Sequence, residues 1–322
     1  MRTETFRHRA SDGHELHVYR WLPDDDALAH KPRAVIQIVH GLVEHAARYA
    51  ATAEAMTAAG FVVYADDHRG HGHTAGPDEL GFFAERDGWR RVVDDKLELS
   101  ARIRDAFPGT PHLLLGHSMG SFLCQMILGE RGADYTAVVL SGTADAPPRP
   151  LQIAGRLAAR VERRRLGPRG RSEVLTKLAF GTYNNGIPKP RHEFAWLSRD
   201  AEVVAAYADD PLCGFTATTQ LWNDLLGGIS EMAEPARRQR IPRDVPIYMF
   251  SGERDPVGGW GKSFRQLLAV YAALGLHRVD HKLYPGGRHE MLNELNRDEV
   301  IEDLLRWING VLEHLPGDAG EA

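Results

Sequence analysis

The chain has 322 residues, 43% hydrophobic and 26% charged, enough to bury a core without covalent staples. Its two cysteines, Cys124 and Cys213, give no disulfide framework, and a net charge of −5 excludes the basic surplus typical of nucleic-acid binders. No apolar run approaches the roughly 18 residues of a membrane span. The opening MRTETFRHRASDG lacks a signal-peptide core, so the expected setting is cytoplasmic.

In chain order, FRHRASDGHELHVYRWLP alternates around Asp12-Gly13 and predicts an antiparallel hairpin at a sheet edge. Six strand-like runs follow: AVIQIVHG (34–41), FVVYADDHRGHG (61–72), PHLLLGHSMG (111–120), AVVLSG (137–142), PIYMFSGERD (246–255) and HKLYPGG (281–287). They are nearly continuous in aliphatic residues, which is how strands covered on both faces read. Helical stretches separate them, one over Tyr49 to Ala59 stopped by Gly60, another ending near Phe107 and Pro108. Strands alternating with helices predict an α/β, mostly parallel, doubly wound sheet. Residues 144–241 contain no good strand, only prolines, an arginine-rich helix and aromatic helical pieces. They predict a helical cap (144–241) inserted into a core made of 1–143 and 242–322. Gly317 to Ala322 read as a short frayed tail.

Gly116-His117-Ser118-Met119-Gly120 matches G-x-S-x-G between an apolar run and a helical stretch. A serine there sits on a sharp, strained turn that demands small neighbours and exposes its hydroxyl. The Met119 N–H at the helix start is then one oxyanion donor. His40-Gly41 ends the first strong strand, and Leu42 is the expected second donor.

A serine hydroxyl needs a base, and the base needs a carboxylate to fix its tautomer. Asp255 ends the strand YMF in SGERDPVG, and His289 follows the last strand in GGRHEML. Both fall at carboxyl ends of strands, as Ser118 does. Glu253 is the rival acid, but two residues back along the strand it sits lower. His68, His71 and His73 resemble a metal cluster, yet no carboxylate or cysteine is spaced to complete a tetrahedral set. No metal or cofactor is expected.

With these pieces assembled, the chain resembles the monoacylglycerol lipase and lysophospholipase-like branch of the α/β hydrolases. The matching segments are HGLVEHAARY (40–49), DHRGHGHT (67–74), GHSMG (116–120), SGERDPV (251–257) and GGRHEML (286–292). The resemblance implies an α/β-hydrolase fold with a helical cap and a Ser118–Asp255–His289 triad. It also implies an oxyanion hole from Leu42 and Met119, and small-molecule monoacyl esters as substrates. Leu42 and Val43 stand where this family often has small residues, and Ser121 where it often has glycine. These departures bear on substrate, not on the triad. A thioesterase, peptidase or acyltransferase would use the same three residues. A proline-specific peptidase would also need an acidic cap residue, for which Glu173, Glu193 and Glu202 are available. A non-catalytic binding protein on this fold is a further alternative, although no triad member is missing.

In the cap, Leu178, Phe180, Trp196, Leu212, Phe215, Leu221, Trp222 and Leu226 either pack it onto the core or line an acyl tunnel, with Phe180 and Trp222 the candidates for substrate contact. Gly155 to Arg171 carries Arg156, Arg160, Arg163, Arg164, Arg165, Arg169 and Arg171 beside a stripe of Leu151, Ala154, Leu157, Ala158 and Val161. It reads as a cap helix with a solvated face or as an interfacial helix giving peripheral membrane contact. The oligomeric state is not legible.

Overall fold

A computed structural model of the chain describes residues 1–76 and 78–315; the expected tail at Gly317 to Ala322 lies outside the described residues. The strands are β1 (Arg2–Arg9), β2 (Glu15–Leu22), β3 (Val35–Val39), β4 (Val62–Asp66), β5 (His112–His117), β6 (Ala137–Ser141), β7 (Ile247–Gly252) and β8 (Val279–Tyr284). The helices are α1 (Asp26–His30), α2 (Ala50–Ala58), α3 (Gly88–Ala106), α4 (Met119–Arg131), α5 (Arg149–Leu166), α6 (Glu173–Phe180), α7 (Ala201–Asp209), α8 (Thr219–Met232), α9 (Pro235–Arg238), α10 (Lys262–Ala273) and α11 (Arg297–Glu313).

One eight-stranded sheet runs β1-β2-β4-β3-β5-β6-β7-β8. β1 and β2 pair antiparallel, β2 pairs antiparallel with β4, and the others pair in parallel. The hairpin turns through Gly13 at φ 89°, and β1 forms the edge. Every residue of β3, β4, β5, β6 and β7 is buried. Their aliphatic runs are therefore needed on both faces. On one face α2 and α11 pack through Ala53, Met56, Leu304 and Ile308. On the other, α3, α4 and α10 pack through Val92, Leu123, Ile127 and Leu267. β8 is the exception to continuous burial. As the far edge strand it shows only Tyr284 fully buried, which suits its polar VDHKLY. The run 61–72 is strand only to Asp66; beyond it, buried turns carry positive-φ Gly70 and Gly72.

The strand order places β3 between β4 and β5, so chain direction reverses across the sheet at β3. Loops leaving β3 and β5 at this switch point diverge to opposite faces and open a crevice. Val39 and Gly116 are register partners, so the Gly41 loop and Ser118 emerge side by side. Between β6 and β7 the chain carries α5 to α9.

Candidate active site

Ser118 joins β5 to α4 with φ 52° and ψ −121°. An L residue adopts that conformation only where its surroundings fix it. The glycines on either side explain how. A Cβ on Gly120 would fall 1.9 Å from the Val39 carbonyl, and one on Gly116 would fall 2.5 Å from the Gly120 carbonyl and from Cys124 Sγ. The helix thus approaches the strands more closely than any side chain permits. Ser118 is the first non-helical residue before α4, so the Met119 N–H stays outside the helical hydrogen-bond ladder.

His289 Nδ1 stands 3.0 Å from Asp255 Oδ1, and both side chains are buried. Asp255 is held from two further directions: Ser251 Oγ donates to Oδ2 at 2.7 Å, and the Val257 N–H donates to Oδ1 at 2.8 Å. Burial pushes the Asp255 carboxyl up. The His289 charge, with the hydrogen bonds from Ser251 and Val257, outweighs it and holds the carboxyl below its ordinary range. Burial pushes His289 down, but the Asp255 carboxylate outweighs that and raises the imidazole above 6.5. The rival Glu253 is exposed and Asp255 is not, so only Asp255 meets the histidine.

The structure brings Ser118, Met119, Leu42 and His289 to the wall of one cavity of about 260 Å³, with Asp255 behind His289. Among the described residues, neither the Leu42 nor the Met119 N–H donates to a protein acceptor. The N–H groups on either side of Leu42 are spent: Gly41 donates to Glu44 Oε1 at 2.5 Å and Val43 to His71 Nε2 at 3.2 Å. The remaining wall is mostly apolar and includes Phe122, Phe180, Tyr183, Trp196, Trp222, Leu225, Leu226 and Ile229. Phe180 and Trp222 both lie on it, and the indole nitrogen of Trp222 has no partner among the described residues. A second cavity of about 280 Å³ shares Val43, Phe180, Trp196, Tyr207 and Trp222 with the first. Of the other cap residues singled out, Leu178 is 69% exposed and lines neither cavity, whereas Phe215 lines the second. Of the three cap glutamates, Glu193 borders the second cavity, and all three are exposed.

The histidines after β4 are tied into the backbone. His68 Nε2 meets the His40 carbonyl at 2.9 Å, His40 Nε2 accepts the His68 N–H at 3.0 Å, and His71 Nε2 accepts from Val43. Burial pushes His71 down to about 4, and His40 and His68 well below 6.5. They act as neutral braces under the Leu42 loop. His45, Asp210 and Cys213 form a different donor set, with ligand atoms within 4.8 Å of one another. His45 Nε2 already meets Asp210 Oδ2 at 2.8 Å, and burial pushes the Cys213 thiol up, away from the thiolate a metal requires.

Sequence reasoning passed over several residues at the site. The His117 ring lies 4.7 Å from that of His289, and Trp196, singled out in sequence only as a packing or tunnel residue, lies 5.3 Å from it. The segment between β6 and β7 meets the loop after β8 directly, with the Glu290 N–H donating to the Leu197 carbonyl at 2.8 Å. One signal was available: Glu44 and Arg48 are spaced i, i+4 just after His40-Gly41, and Glu290 is the next residue after His289.

The sheet order and the serine turn at the switch point define an α/β hydrolase. Within that class, the chain belongs to the Hydrolase_4 family, described as serine aminopeptidase, S33, whose profile matches residues 30–296. It is 32% identical over 295 residues to the monoacylglycerol lipase of Mycolicibacterium smegmatis, covering 89% of this chain and 90% of that one. It is 27% identical over 298 residues to the monoglyceride lipase of Homo sapiens, covering 89% and 87%. A thermostable carboxyl esterase from Bacillus coagulans, solved in complex with glycerol, superposes with a TM-score of 0.86 at 27% identity, over 97% of this chain and 99% of that one.

Proposed function

We propose that this chain is a serine ester hydrolase that cleaves monoacyl esters of the monoacylglycerol or lysophospholipid kind through an acyl-enzyme. The observation that carries this reading is the buried Asp255–His289 pair placed with the strained Ser118 turn on a largely apolar cavity. In this reading residues 144–241 act as a cap over a catalytic core of 1–143 and 242–322. Ser118 Oγ attacks the ester carbonyl carbon while His289 Nε2 takes its proton. The oxyanion is held by the Leu42 and Met119 N–H groups, which have no other acceptor to give up among the described residues. The imidazolium returns the proton to the leaving alcohol as the tetrahedral intermediate collapses. Water then attacks the acyl-Ser118 carbonyl, His289 takes its proton, and the fatty acid departs as the proton returns to Ser118 Oγ. The apolar wall, with Phe180 and Trp222, takes the acyl chain. The monoacylglycerol lipase and monoglyceride lipase relatives support this substrate class over a thioester or amide.

The test is a panel of nitrophenyl esters, monoacylglycerols and lysophospholipids of graded chain length. We expect kcat/KM to rise with chain length until the apolar cavity is filled, then to fall. A flat response across the panel would remove the cavity from substrate selection.

A specific observation also favours contact between the cap and a lipid surface. The apolar stripe of α5 faces outward: Leu151 is 61% exposed, Ile153 67% and Leu157 60%, while Ala159 and Glu162 are the buried positions. Val174 and Leu178 on α6 are exposed as well. Burying the exposed part of each such side chain is worth about 1–2 kcal/mol, and each arginine near an anionic surface about 1 kcal/mol. The two terms are comparable, so binding to anionic vesicles should weaken in high salt without vanishing. No helix of the described residues is long and apolar enough to cross a membrane, so contact of this kind would be peripheral. Co-sedimentation should be strong with phosphatidylglycerol vesicles, weaker with phosphatidylcholine, and weaker still for Leu157→Asp, with nitrophenyl acetate turnover unchanged. Equal pelleting of the wild type and Leu157→Asp would discard the idea.

A further inference from the structure

The loop after β3 and the loop after β8 carry the two parts of the site that must move least, the Leu42 donor and the His289 base. One cation joins them. Arg48 Nη1 donates to Glu44 Oε2 at 2.5 Å, and its two terminal nitrogens donate to Glu290 Oε1 and Oε2 at 2.7 and 2.6 Å. Glu44 also accepts the Gly41 N–H and the Tyr49 hydroxyl, the latter at 2.9 Å. The guanidinium lies 4.8 Å over the ring of Tyr207, whose hydroxyl donates to the Val43 carbonyl at 2.9 Å.

We propose that Arg48 is a positioning residue that fixes the oxyanion loop and the base loop at one separation by bridging the buried carboxylates of Glu44 and Glu290. This rests on the hydrolase reading above.

The placement of the carboxylates argues for this role. Glu44 takes the Gly41 N–H, which turns the loop so that the next N–H, Leu42, is left free. A Cβ on Gly41 would lie 2.7 Å from Glu44 Oε1 and 3.2 Å from Ser118 Cβ, so the loop rests directly against the nucleophile. Glu290 follows His289 and is otherwise held by the Leu197 carbonyl and Asn293 Nδ2. Both carboxylates line the cavity that holds Ser118. Left unbridged, two buried negative charges would repel each other across the site. A planar fork can hold both in fixed directions, whereas an ammonium is a single point of charge.

The test is Arg48→Lys, which keeps the charge and loses the fork. Wild-type labelling by a fluorophosphonate probe is read first. Failure to label overturns the hydrolase reading, whereas a labelled wild type with an unaffected variant overturns only the bridging role. We expect kcat per probe-titrated site to fall on the order of 10²-fold, as for a roughly 1 Å misplacement of reacting groups. KM should stay within about twofold of wild type, as expected when binding is untouched. Inhibition by a trifluoromethyl ketone, which forms an oxyanion at Ser118, should weaken in parallel with kcat/KM. A merely structural arginine would lower the number of titratable sites and leave kcat per site and the ketone affinity unchanged, and that result overturns the proposal. Should Arg48→Lys fail to fold, Glu290→Gln decides. It keeps the side chain's size and an acceptor oxygen but removes the charge at one end of the bridge. A fall in kcat of several-fold at constant KM supports the bridge, and unchanged kcat overturns it.

Discussion

Alanine at Ser118 is expected to lower kcat for ester hydrolysis by about 10⁶, by analogy with nucleophile deletion in other serine hydrolases. The size follows from what remains. His289 and Asp255 keep their contact, and the Leu42 and Met119 N–H groups stay in place, but the group that would carry the acyl chain is gone. Water attack assisted by the surviving donors is the residual route. The fold should tolerate the change. Alanine keeps the Cβ, and the φ of 52° is imposed by packing at Gly116 and Gly120, not by the hydroxyl. The variant should therefore unfold at nearly the wild-type temperature and be silent to a fluorophosphonate probe. A variant that still turned over nitrophenyl esters at a hundredth of the wild-type rate would exclude Ser118 as nucleophile.

Asparagine at Asp255 should cost about 10⁴ in kcat, the scale expected when a base histidine loses the carboxylate that fixes its tautomer. It should also move the pH profile in a defined direction. His289 must be neutral to accept the serine proton, so wild-type activity rises with pH through the histidine's titration. Burial alone would place that titration low, but the Asp255 carboxylate raises it above 6.5, so the wild-type acid limb lies above 6.5. Removing the carboxylate leaves burial in command, and the limb should shift to lower pH. Profiles of kcat/KM from pH 5 to 9 for both proteins decide the matter. An acid limb that stays in place in Asp255→Asn would show that another group titrates.

Much of this site was legible because its parts end strands. The runs before Gly41, Gly116 and Gly252 are apolar on both faces for the same reason that they are strands of a covered parallel sheet. A polar residue just after such a run is conspicuous, and Ser118 and Asp255 stand there. His289 was harder, since β8 is a half-exposed edge with mixed composition, and only its order in the chain marked it. The bridge from Arg48 to Glu290 joins positions 242 apart, and local pattern carries no trace of such pairing. The α5 stripe was visible as a stripe, but which way it faced was set by α8, against which the helix packs through its small residue Gly155, near Leu226. Helical periodicity gives a direction around an axis, not the identity of what lies there.

The two ends of the segment proposed as a cap are fastened differently. From Ala195 to Gly214 it is sewn to the catalytic loops: Arg288 holds the Ala195 and Ser198 carbonyls, Arg199 pairs with Glu294, and the Gly214 N–H donates to the Val43 carbonyl. The α5–α6 half reaches the core through exposed arginines, Arg169 to Glu85 and Arg171 to the Leu80 carbonyl, and through Ala159, Leu175 and Phe180 in the apolar cluster. At the end of α6, Phe180 stacks on Trp196, whose ring lies 5.3 Å from that of His289, so this half too reaches the base. The exposed positions of α5 and α6, Leu151, Leu157 and Leu178 among them, are therefore where exchange is expected to be tolerated, whereas a change at Phe180 is expected to be felt at His289.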